Sequence, residues 1–219
     1  MKKIVLIHTV KSVNDTFADH IISQLDDVEI YNILDDFLAI DANARGEFTL
    51  ENANRLFFLI KAAELSHADV IVATCSTLTP WVEKIRPFVT TPIVAIDDAM
   101  TRMAVSLGSK ITIMATAQST VEPTRKKLLH DAAEAGVNPK ISIVVCEAAF
   151  RAMKANDMVT HDRILREAAH DIKDQDAVVL AQASMAHLEP DVQSICGCKT
   201  LSSPNLCIAQ VKKILFPKG

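Results

Sequence analysis

Cys75 closes the apolar run "VIVATC" and is followed at once by Ser76 and Thr77. A thiol can take and return a proton near neutrality, because its ordinary pKa of about 8.5 is readily lowered at helix N-termini. The competing reading is an inert, packed cysteine, the usual fate of this residue type. A second copy of the segment sharpens the question. "DVIVATCSTL" at 69 returns as "DAVVLAQASM" at 176, with Gln182 in the cysteine's place and Ala183 and Ser184 behind it. A carboxamide donates and accepts hydrogen bonds but exchanges no proton at a usable pKa. Two histidines are further candidates: His187, five residues beyond Gln182, and His8, at the end of the first apolar run. A lone histidine is more often structural.

The elements that must position these residues are legible as alternating runs. "KIVLIHT" (3–9), "VEIYNIL" (28–34), "DVIVATC" (69–75) and "PIVAID" (92–97) read as strands. So do "KITIMAT" (110–116), "KISIVVC" (140–146), "DAVVLAQ" (176–182) and "KTLSS" (199–203). Most are apolar on successive residues, which suits parallel strands covered on both faces. Helical patterns lie between them. In 50–67, Leu56, Leu59, Ile60 and Ala63 share one face. In 119–136, "STVE" reads as a capping box of Ser119 and Glu122, with Pro123 near the first turn and Gly136 as the stop. Segments 157–173 and 204–215 are further helices, Asp97 and Asp98 read as helix caps, and 35–49 reads as a polar connection. Trp81 and Phe88 are expected in the core or at a subunit contact.

The alternation means an α/β fold with parallel sheets. Three strand matches at one offset of 107 (3 with 110, 69 with 176, 92 with 199) indicate a duplication. Lys3/Lys110, Thr9/Thr116 and Asp69/Asp176 are identical pairs. The expected architecture is two similar half-domains related by a pseudo-twofold, 1–97 plus 206–219 and 98–205, with a site in the cleft between them. In open α/β sheets ligands sit beyond the carboxyl ends of the strands. Those ends deliver Thr9, Ser12, Cys75, Ser76 and Thr77 from the first half. The second delivers Thr116, Ser119, Thr120, Gln182, Ala183 and Ser184. Hydroxyls and turn amides without a strong cationic cluster suit a small carboxylate or amide. A nucleotide is disfavoured, because no GxGxxG or GxxxxGK[ST] occurs.

Composition narrows the classes further. Of 219 residues 49% are hydrophobic, enough for a sizeable core, and the net charge of −4 gives no footprint for nucleic acid or an anionic membrane. No run is long enough to span a membrane, and "MKKIVLIHTV" reads as a first strand rather than a signal peptide. Five irregularly spaced cysteines without paired C-x-x-C groups point to free thiols in a reducing cytoplasm and to no metal site. Cys146, Cys196 and Cys198 are read as structural, and Cys207 as a weaker candidate in the last helix.

The duplicated unit, Cys75-Ser76-Thr77, the "PIVAIDDA" strand and the "ATAQST" turn (115–120) together resemble the aspartate/glutamate/hydantoin racemase superfamily over nearly the whole chain. The resemblance implies cofactor-independent proton transfer at the α-carbon of a small amino acid or related carboxylate, in a cytoplasmic homodimer. It implies that "ATAQST" helps hold the carboxylate. In that family two cysteines flank the α-carbon, one removing a proton and the other returning it on the opposite face. Here the second position is Gln182, so inversion needs another group: His187, or a water held by Gln182. A single thiol would also suit decarboxylation or cis–trans isomerisation, where one protonation suffices. A non-catalytic carboxylate-binding protein is the other reading.

Overall fold

The computed structural model describes residues 1–217. Two compact units divide it, Met1–Ile96 with the chain from Cys207 onward, and Asp97–Leu206. Each holds a four-stranded, wholly parallel sheet in the same order.

In the first unit the order is β2 (Val28–Leu34), β1 (Lys2–His8), β3 (Val70–Ala73), β4 (Ile93–Ala95). Alternate residues of β1 supply two different cores. Ile4 and Leu6 pack with Phe17 and Ile21 of α1 (Lys11–Ile22) and with Ile208 and Val211 of α10 (Ser203–Leu215). Val5 and Ile7 pack with Leu56, Ile60 and Ala63 of α3 (Leu50–Leu65). That two-sided cover is why the central strands read as unbroken apolar runs.

The second unit repeats the plan as β6 (Lys140–Val145), β5 (Lys110–Ala115), β7 (Ala177–Leu180), β8 (Lys199–Ser202). Ile111, Ile113 and Ala115 pack with α5 (Asp98–Leu107) and α6 (Gln118–Ala135), while Met114 faces the core that includes Leu165 of α8 (Met158–Ala169). The duplication extends to single hydrogen bonds. Asp69 Oδ2 accepts from Lys3 N at 2.8 Å, and Asp176 Oδ2 accepts from Lys110 N at 2.8 Å. Both aspartates tie the start of the third strand of their sheet to the first.

Several sequence expectations are corrected. Residues 35–49 are not simply a connection: they contain α2 (Phe37–Arg45), which buries Leu38 and Ala42 and ends at Gly46 with φ 74°. The helix expected over 157–173 is α8 alone, preceded by α7 (Glu147–Lys154). Asp157 caps it by accepting from Thr160 N at 3.0 Å. The Ser119–Glu122 capping box does not form. Ala117 is the cap residue, Ser119 lies inside the first turn, and Pro123 falls farther along the helix. Asp97 makes no side-chain capping bond, and Asp98 instead faces Lys127 Nζ at 3.0 Å in a buried group that also includes Asp131. Phe88 is 71% exposed and so is not a core residue, whereas Trp81 packs on Phe48.

Candidate functional site

The first half brings its polar residues to the carboxyl edge of its sheet. Cys75 follows β3 in extended conformation (φ −130°, ψ 123°) and leads into a 3₁₀ turn, Ser76–Leu78, closed by Leu78 N donating to Cys75 O at 3.0 Å. The thiol is half-buried, packed beside the apolar cluster on one side of the sheet, and Ser76 and Thr77 are half-buried with it. Thr9 follows β1. It is 3% exposed, and its hydroxyl has no hydrogen-bond partner among the described residues. A buried hydroxyl left unpaired costs free energy, so it calls for an explanation. Ser12 lies in the first turn of α1 and is exposed. His8 is structural: its ring is fully buried between Thr74 Oγ1 at 2.8 Å and Asn32 Oδ1 at 3.1 Å. Burial holds its pKa below the ordinary histidine value, against a smaller opposing effect of the Asn32 bond, and so favours the neutral ring.

The second half has the same backbone and different chemistry. Gln182 adopts φ −140°, ψ 137° before the 3₁₀ turn Ala183–Leu188, closed by Met185 N donating to Gln182 O at 3.0 Å. Its side-chain oxygen accepts from Thr116 N at 2.6 Å and from Thr116 Oγ1 at 2.9 Å. The two donors at the head of "TAQST" are therefore taken up within the protein. Thr120 Oγ1 bonds back to Ala117 O at 2.9 Å. Ser119 and Ala183 are exposed, and Ser184 is half-buried.

His187 is paired with a carboxylate. Its Nε2 lies 2.9 Å from both carboxylate oxygens of Asp162 on α8, and the buried His161 places Nδ1 2.7 Å from Asp162 Oδ1. Burial alone would push the Asp162 carboxyl up, but bonds from the two imidazoles outweigh it and leave the pKa below the usual value. The three residues bring metal-binding atoms within 4.8 Å. The short His–Asp contacts are those of a hydrogen-bonded trio, with Arg166 Nη2 3.8 Å from the carboxylate. Sequence reading missed His161 and Asp162, and nothing in the spacing of a His-Asp pair on a helix flags them.

These edges, with a thiol on one and a carboxamide on the other, can be set beside known proteins. The sequence profile of the Asp/Glu/hydantoin racemase family matches residues 7–211. The chain belongs to that family. Solved structures with the same fold include a glutamate racemase isoform from Bacillus anthracis (TM-score 0.74, 17% identity, 100% of this chain and 83% of that one). Picrophilus torridus aspartate racemase gives TM-score 0.70 at 16% identity, over 97% and 94% of the two chains. Allantoin racemase from Klebsiella pneumoniae gives 0.66 at 16%, over 98% and 87%. We find no match to the chain among curated proteins. As a member of this family, the chain falls among isomerases built on two parallel α/β halves. Among its described residues no helix is long and apolar enough to cross a membrane.

Proposed function

We propose that this protein is a cofactor-independent enzyme of the racemase family in which Cys75 moves a proton at the carbon next to the carboxylate of a small amino acid or related acid. The observation that carries the reading is the half-buried Cys75 at the carboxyl end of β3, ahead of a Ser-Thr turn, with the orphaned Thr9 hydroxyl at the carboxyl end of the adjoining strand β1. Thr9, Ser12, Ser76 and Thr77 are assigned to substrate binding on this edge, and Ser119, Thr120, Ala183 and Ser184 on the other, where both Thr116 donors are already engaged. Gln182 holds the Thr116 donors and presents its remaining amide N–H groups as fixed dipoles for a developing negative charge. His187, bound to Asp162, is assigned no proton transfer.

One thiol has a stereochemical consequence. A proton removed and returned by the same group comes back on the same face, so the carbon exchanges its hydrogen with solvent without inverting. Gln182 supplies no proton to the opposite face. The expected activity is α-hydrogen exchange that outpaces racemisation.

The test is deuterium entry from D₂O into the α-position of candidate acids, followed by proton NMR. Aspartate, glutamate and allantoin come first, since structural neighbours are racemases of these compounds. Exchange that disappears in Cys75→Ser supports the assignment. Binding of an acid with no exchange, or exchange unchanged in Cys75→Ser, refutes it. A cytoplasmic homodimer is also proposed, with the exposed apolar side chains Phe37, Ile40 and Phe58 of α2 and α3 as candidates for the contact. Light scattering that gives the monomer mass at micromolar concentration excludes it.

A further inference from the structure

The sequence "CGC" at 196–198 has no part in the chemistry above, yet it brings two thiols into contact. Cys196 is the last residue of α9 (Glu189–Cys196), and Cys198 directly precedes β8. Gly197 between them is the helix C-cap, at φ 72° and ψ 13°. That left-handed step is open to glycine at no steric cost and reverses the chain within one residue. The two side chains consequently fall together. Cys196 Sγ lies 3.2 Å from Cys198 Sγ, with Cys198 O at 3.7 Å and Thr200 Oγ1 at 3.8 Å. Both residues are half-buried, while Gly197 is exposed, so a small reagent can approach from the turn.

We propose that Cys196 and Cys198 form a reversible oxidation site, a dithiol that closes to an intrachain disulfide by exchange with a small-molecule disulfide such as oxidised glutathione. The sulfurs need to approach by only about 1 Å to reach bonding distance. The anchors on either side already stand. Thr200 N donates to Gln193 Oε1 at 3.3 Å, and Ser202 N donates to Glu189 Oε2 at 2.9 Å, so α9 and β8 are held in place while the sulfurs close.

The exchange divides unequally between the two sulfurs. Burial, the hydrogen bond to Cys196 and the charge of that neighbour push the Cys198 thiol up to about 12. The raised Cys198 thiol is the less ready nucleophile, so Cys196 serves as the attacking sulfur in the proposed exchange. The Cys196 thiolate attacks one sulfur of the oxidised reagent, expels one thiolate and forms a mixed disulfide. Cys198 then loses its proton to solvent, attacks Cys196 Sγ and expels the second thiolate. Two protein thiols lose two electrons, and one small disulfide gains them as two thiols. A ring this small is strained, so the bond is expected to be readily reduced.

The test uses the full-length protein equilibrated with oxidised glutathione, alkylated, and mapped by peptide mass spectrometry. Two of the five thiols should become unreactive, both in the peptide that spans 196–198, and reduction with dithiothreitol should restore them. Cys198→Ser should accumulate glutathione on Cys196, whereas the wild type should not. Five alkylated thiols after equilibration, lost thiols that map to Cys75, Cys146 or Cys207, or a lasting mixed disulfide on wild-type Cys196 would each overturn the proposal. Cys196→Ser is expected to leave Cys75-dependent exchange unchanged, which separates this site from the proposed activity.

Discussion

The carboxyl edges of the two sheets share backbone geometry and differ in what that geometry holds. Cys75 and Gln182 stand 107 residues apart in near-identical extended conformation, each before a 3₁₀ turn closed by the same 3.0 Å bond. On the first edge the Thr9 hydroxyl has no partner among the described residues, and a thiol stands where Gln182 stands on the second. There Gln182 reaches back to the equivalent threonine, Thr116, and satisfies both its N–H and its hydroxyl. The duplicated fold thus fills the second edge with its own amide and gives the first no equivalent bond. The difference lies in one side chain, which decides whether the edge can move a proton or can only donate and accept hydrogen bonds.

The most damaging test of that contrast removes the thiol. Cys75→Ser is expected to lower α-hydrogen exchange by roughly 100- to 10,000-fold, the range for loss of a positioned acid–base group. The folded state should barely change, because the residue is half-buried and the replacement is close in size. A second substitution makes the edges alike. Gln182→Cys restores a thiol to the second edge, so inversion should rise several-fold relative to exchange. Polarimetry and NMR on one sample measure both rates, and an unchanged ratio would mean that residue 182 does not face the reacting carbon.

A smaller effect separates the threonines. Thr116→Val deletes a hydroxyl that donates to Gln182 and should cost about 1 kcal/mol of stability. Thr9→Val deletes a buried hydroxyl with no bond to lose, so stability should hold or rise. If Thr9 binds substrate, the same variant should raise KM while denaturant midpoints stay put. Equal losses of stability in both variants would show that the two edges are satisfied alike.

How far sequence could anticipate this follows from the physics of each feature. The repeat was legible because β1, β3, β5 and β7 are buried on both faces, which leaves long apolar runs that align at one offset. The repeat relation of β2 and β6 was not. They pair with β1 and β5 at sheet edges, many of their side chains are exposed, and Glu29 and Lys140, which face Lys3 and Lys110, stand at a different spacing. The α2 helix was hidden because only Leu38 and Ala42 carry its buried side, too few to show a period. The equivalence of Cys75 and Gln182 could be read directly. The turn of Gln182 onto Thr116, of His187 onto Asp162 and of Cys196 onto Cys198 could not, because each depends on a side-chain rotamer or a single left-handed residue.

The finest difference between the halves lies away from both edges. Glu64, near the end of α3, accepts from Thr90 N and Thr90 Oγ1 at 2.7 Å and from Thr91 N at 3.2 Å, and Lys61 also bonds to it. The bond from Lys61 and those from Thr90 lower its carboxyl from the ordinary 4.5 to about 2. The equivalent residue of the second half, Asp171, is exposed in the turn after α8. A carboxyl depressed in the folded state contributes stability above its unfolded pKa and loses it as pH falls through the folded one. Glu64 should therefore support the first half fully above about pH 4.5 and progressively less towards about pH 2. Glu64→Gln should lower the melting temperature at neutral pH and flatten its decline across that window. Hydrogen exchange at pH 3 should then find the amides of Thr90 and Thr91 opening before the turn that carries Asp171. Parallel wild-type and Glu64→Gln curves would show that the carboxylate is screened too well to matter.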